Sequence, residues 1–214
     1  MRLVTAALTA VTMLVATVWY VYLVVRGRIA PVLASWIILA TTMTLSYAAY
    51  WHAPNHTIAG NIGNLTGVVS TVAILASIIG REWKTGWGRS RFNAFQMQCL
   101  AGAGVIMVVW SILRFVIGGG SAAFISNVLT QILMVIGYVA LVERLWTTRK
   151  ERESLFSWTF IFLASSLSFG PALYPATDWL GLLYAFRATV TSGIAVWLIS
   201  KIRSQTLNPT RASS

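Results

Sequence analysis

A chain of 214 residues that is 57% hydrophobic, with a mean hydropathy of +0.73 and only 10% charged residues, falls far below the ~25% charge content of a soluble domain and belongs in a bilayer. Its net charge of +11 would suggest nucleic acid in a soluble protein, but the cations sit in short loops between apolar runs, so no nucleic-acid partner is expected. The single cysteine, Cys99, excludes an internal disulfide and a cysteine metal cluster.

Met1-Arg2 before an apolar run imitates a secretory signal. The run 3–25 is longer than a signal core of roughly 7–15 residues, and no small-residue cleavage site closes it, so a retained first span is expected. A helical span needs about 20 apolar residues. Seven segments qualify: 3–25, 30–51, 59–79, 92–117, 122–142, 155–174 and 179–199. Segments two and six carry Thr41, Thr42, Thr44 and Ser46, and Ser165, Ser166 and Ser168, near mid-span. Those hydroxyls bond back to the helix or across to a neighbour, which weakens the hydropathy without breaking the span. Pro171 in segment six and Pro31 at the mouth of segment two are candidate kinks.

Thirteen of the 16 cations lie on one side: Arg26 and Arg28, then Arg81, Lys84, Arg89 and Arg91, then Arg144, Arg149, Lys150 and Arg152, and finally Lys201, Arg203 and Arg211. The alternate loops hold no Lys or Arg, which places the N-terminus outside and the C-terminus in the cytoplasm.

One helix is written twice. Residues 35–47 (SWIILATTMTLSY) match 157–169 (SWTFIFLASSLSF) at an offset of 122, with Ser35/Ser157, Trp36/Trp158, Leu45/Leu167 and Ser46/Ser168 identical. Each copy follows a matching approach, 20–24 (YVYLV) and 138–142 (YVALV). A repeat longer than one helix indicates architecture. Three helices are an odd number, so directly fused repeats would lie antiparallel, and a fourth, connecting helix restores the direction. The expectation is an all-α integral membrane protein of seven transmembrane helices, 3+1+3, with two parallel triple-helix repeats: residues 1–84, a connector over 85–120, residues 121–203, and a disordered tail over 204–214.

This arrangement, with the repeated stretches 20–47 and 138–169, resembles the SWEET and PQ-loop superfamily of transporters, and a bacterial branch of PQ-loop-like proteins in particular. The resemblance implies facilitative movement of a small polar solute such as a sugar through a central cavity by alternating access, in the bacterial cytoplasmic membrane. It also implies a substrate-bonding asparagine in the third helix, matched here by Asn64. The family's proline in the first helix of each repeat is missing: Tyr22 and Ala140 stand there.

An ionisable residue inside a span is a functional candidate. Arg187 lies about 12 Å into segment seven at 1.5 Å per residue, on one face with Tyr184 and Thr191. The face offers a forked donor to an anion or a hydroxyl-rich solute; the alternative is an Arg187 that snorkels outward. Asn61 with Asn64, and Asn127 with Gln131, form two more polar faces, readable as ligand contacts or as glue between helices. Thr44 and Ser46, with Ser166 and Ser168, sit at matching depth in the two repeats. Trp36 and Trp158 are read as a gate or as interfacial anchors.

His52 and His56 have no accompanying carboxylate or cysteine, so no metal and no cofactor are expected. Glu82, Glu143, Glu151 and Glu153 lie at the cytoplasmic boundary, which leaves no intramembrane acid for a proton relay. Lys201 is at the exit of segment seven, too far along for a retinal linkage. Gly118, Gly119 and Gly120 read as a tight outer turn. The leading expectation is a carrier rather than an enzyme, embedded in membrane lipids. A receptor or accessory subunit of a larger complex is the alternative, and a homo-oligomer stays open.

Overall fold

The computed structural model describes residues 2–51, 56–86, 92–117, 119–148, 153–174 and 177–207, and among them every regular element is a helix. These are α1 (Arg2–Val25), α2 (Leu33–Trp51), α3 (Ile62–Thr85), α4 (Ala94–Ile117), α5 (Gly119–Thr148), α6 (Leu155–Leu167), α7 (Phe169–Leu173) and α8 (Trp179–Leu207). Seven spans are long and apolar enough to cross a membrane, with α6 and α7 sharing one, Leu155–Leu173.

One kink that the sequence reading expected, and two differences from it, have local causes. Segment six breaks at Ser168 because Pro171 has no N–H for the Leu167 carbonyl and its ring crowds that oxygen, so the helix stops and restarts. Gly119 and Gly120, expected in a turn, open α5 instead; Gly118 lies outside the described residues. The last helix runs on to Leu207, through positions 204–207 that were assigned to a disordered tail.

α1 ends at a Schellman motif: the Arg28 N–H donates to the Leu23 carbonyl (2.9 Å) and the Gly27 N–H to that of Val24 (3.0 Å). Gly27 sits at φ 70°, where a side chain is strained. The turn sends the chain directly back into α2.

Neighbour packing runs in a closed circuit, α1–α3–α2–α5–α8–α6 and back to α1, with α3 also touching α8 across the middle. α4 stands outside the circuit against α5 and α2, and only 17% of its span is buried. Large apolar side chains such as Leu8, Val11, Val18, Val105 and Val116 face outward, as a lipid-facing surface requires.

Candidate functional site

The interior of the circuit is layered, and α2 supplies a residue to every layer: Tyr50, Ser46, Met43 with Leu39, and Trp36. At the end where α1 begins, the Tyr50 hydroxyl donates to Asp178 Oδ2 (2.6 Å), and the Thr57 N–H donates to Tyr50 (3.1 Å). Arg2 donates to Thr57 Oγ1 (2.5 Å). Asp178 also caps α8 by accepting from the Gly181 N–H at 2.9 Å. Asp178 is thus tied to α2 and to its own helix end.

Below lies a polar layer. Ser46 Oγ accepts from Asn64 Nδ2 (3.1 Å) and Gln131 Nε2 (3.2 Å). Gln131 Nε2 also donates to Asn127 Oδ1 (3.1 Å), and its Oε1 accepts from Arg187 Nε (2.9 Å). The five residues come from α2, α3, α5 and α8, and none is more than 6% exposed. The Arg187 guanidinium stands 5.1 Å over the Tyr184 ring. Tyr184 in turn donates to the Gly63 carbonyl at 2.9 Å. Several polar atoms here bond to nothing among the described residues: Arg187 Nη1 and Nη2, Asn64 Oδ1, Asn127 Nδ2, and both side-chain atoms of Asn61.

Next comes a cavity of about 30 Å³, room for roughly two waters and far too small for a sugar. Its hydroxyls are Thr17, Ser70, Thr71 and Ser165, with Thr17 and Ser70 bonded to each other at 2.6 Å. The rest of the wall is mainly apolar, with Met13, Met43, Ile74 and Ile161 in it and Tyr184 beside them.

An aromatic plug closes the cavity towards the basic end. Trp36 and Trp158 lie 6.4 Å apart, Tyr20 is 5.1 Å from Trp36, and Tyr138 is 5.7 Å from Trp158, all between ring centroids. Beneath it Glu153 Oε2 accepts from the Tyr20 hydroxyl (2.6 Å) and from Trp158 Nε1 (3.2 Å). Arg81 and Arg144 seal the end by donating to the Ile29 and Pro31 carbonyls.

Of the expected site residues, Asn64, Ser46, Gln131, Asn127 and Arg187 meet, and Tyr184 joins them through its ring. Tyr184 also lines the cavity, whereas the other five lie outside its lining. Thr44 is exposed and bonds back to the Ala40 carbonyl at 2.9 Å, because two residues from Ser46 is about 200° around the helix. Ser166 bonds the Phe162 carbonyl and Thr191 that of Arg187, both at 2.9 Å, so neither reaches the layer. Ser168 bonds the Ser165 carbonyl at the α6–α7 break (2.6 Å). Asn61 is buried beside the start of α3 without capping it. Trp36 and Trp158 are 3% and 1% exposed and pack against the rings of Tyr20 and Tyr138.

Sequence reasoning missed Tyr20, Tyr138 and Glu153. The tyrosines were legible, since each heads one of the repeated approach stretches. Glu153 was not: its charged neighbours 149–152 imply loop solvent, whereas the carboxyl is 4% exposed. Glu82 is also buried, at 6%; Glu151 and His52 lie outside the described residues. No protein-family model, curated protein or solved structure matches this chain.

Proposed function

We propose that the protein is a facilitative carrier for a small polar solute, described here in an occluded state. The observation that carries this reading is the layering: a small, mostly apolar cavity that carries four Ser/Thr hydroxyls, with a buried polar layer on one side and an aromatic plug on the other. A helix bundle held only for stability gains little from such a core, because buried polar contacts between membrane helices contribute only about 0.6 kcal/mol each on average.

The 3+1+3 organisation belongs to the same proposal. Exchanging α1 with α5, α2 with the α6–α7 span, and α3 with α8 carries the contact α1·α3 onto α5·α8, α2·α3 onto α6·α8, and α2·α5 onto α6·α1. The Tyr20–Trp36 contact likewise goes onto Tyr138–Trp158. Such a pseudo-twofold places a solute path on the axis, between the repeats. Trp36 and Trp158 act as the gate on the cytoplasmic side, and the Tyr50–Asp178 bond holds the outer side. The membrane is the bacterial cytoplasmic membrane, with the N-terminus outside.

Uptake of labelled glucose, glycerol and lactate into proteoliposomes tests this. Native protein is expected to give saturable entry of at least one solute, reduced at least tenfold by Gln131→Leu, while Trp36→Ala with Trp158→Ala raises the leak. Entry no faster than into protein-free vesicles for all three sinks the carrier reading.

A further inference from the structure

We propose that the polar layer is a binding site for a small carboxylate-bearing solute, with Arg187 as the anion-holding residue and Asn127 and Asn64 contacting the atoms beside the carboxylate. Arg187 is 6% exposed, its Nε donates to a neutral acceptor, Gln131 Oε1, and its Nη1 and Nη2 bond to nothing among the described residues. An arginine side chain keeps its charge. The described carboxylates are placed elsewhere: Asp178 on Tyr50 and the α8 cap, Glu153 beyond the plug, and Glu82 and Glu143 towards the ends of their helices at the basic end. Among the described residues the layer therefore holds a full positive charge without a counter-ion, an arrangement that is costly inside a membrane bundle unless a ligand supplies the opposite charge.

The free valences specify that ligand. Gln131 cannot turn to help, because its Nε2 is committed to Ser46 and Asn127. What remains is two Nη groups on one planar fork, the Asn127 Nδ2 donor and the Asn64 Oδ1 acceptor, with both side-chain atoms of Asn61 also unbonded among the described residues. A guanidinium fork matches a planar carboxylate by two parallel bonds. The Asn64 Oδ1 acceptor suits an O–H or N–H next to that carboxylate, as in a hydroxy or amino acid. A neutral sugar would leave the charge uncompensated, and a phosphate dianion would meet only one cation. Tyr184 presents its face to the guanidinium, its hydroxyl being spent on Gly63.

This assignment names the solute class for the proposed carrier, and a binding measurement separates the two. Thermal unfolding of the purified full chain in neutral detergent is followed with lactate, glycine, glucose and inorganic phosphate, against sodium chloride at equal ionic strength. Lactate or glycine is expected to raise Tm saturably, and Arg187→Gln to weaken that response by roughly a hundredfold without lowering the ligand-free Tm, since the unpaired charge is gone. No shift with either carboxylate, an equal shift in Arg187→Gln, or a larger shift with glucose or phosphate overturns the assignment. Carboxylate binding without flux in proteoliposomes keeps the site and removes the carrier; saturable glucose flux without carboxylate binding does the reverse.

Discussion

Glu153 links the aromatic plug to pH. Its Oε2 holds Tyr20 and Trp158, and its Oε1 bonds to nothing among the described residues. Burial raises its pKa from the ordinary 4.5 to about 7, opposed by the bonds from Tyr20 and Trp158 and by the Arg144 charge. An acid with a raised folded-state pKa binds its proton more tightly folded than unfolded. Stability is then highest below pH 4.5, falls as pH rises through 4.5–7, and is level above that window. The loss is ~3 kcal/mol across the window. Native Tm is expected to drop between pH 5 and 7.5, and Glu153→Gln, which keeps an acceptor for Tyr20, to flatten the curve and exceed native Tm at pH 8. A native curve that is flat or rising over that range contradicts the assignment. Arg187 was visible from sequence as the cation inside a span; Glu153 was not, because its burial comes from Tyr20, 133 residues away.

Among the elements, α3 shows how closely the helices must approach. A Cβ at Gly67 would lie 2.9 Å from the Tyr184 hydroxyl and 3.2 Å from Met43 Sδ, and one at Gly63 would lie 2.9 Å from Ser168 Cβ and from Tyr184. Tyr184 is anchored by its bond to the Gly63 carbonyl and cannot yield cheaply. Gly67→Val is therefore expected to cost about 1–3 kcal/mol by overpacking. Gly80 on the same helix meets nothing within 4 Å, so Gly80→Ala should be neutral or stabilising by up to ~1 kcal/mol. Thermal unfolding of the two variants checks this; equal effects would mean that α3 does not approach α8 so closely. The break in segment six was readable from Pro171 alone, a local steric rule. The opening of α5 at Gly119 was not, since glycine is a weak local signal that packing overrides.

For the molecule as a whole, the positive-inside pattern predicts which end faces the cytoplasm. In a Cys99→Ser background, Ile58→Cys should react with an impermeant maleimide on intact cells, and Lys84→Cys and Lys201→Cys only after permeabilisation; the opposite pattern reverses the orientation. The sequence by itself determined the number of spans and the inventory of buried polar groups, because hydropathy and length are properties of one helix at a time. Only the tertiary structure decided which of those groups meet. That depends on how each helix is rotated about its axis and which neighbour it faces, and a step of two residues is enough to turn Thr44 outward while Ser46 joins Gln131 and Asn64. The same rotations left Arg187 in the interior with a neutral partner, and brought together Tyr20, Trp36, Tyr138 and Trp158, the first and last of them 138 positions apart.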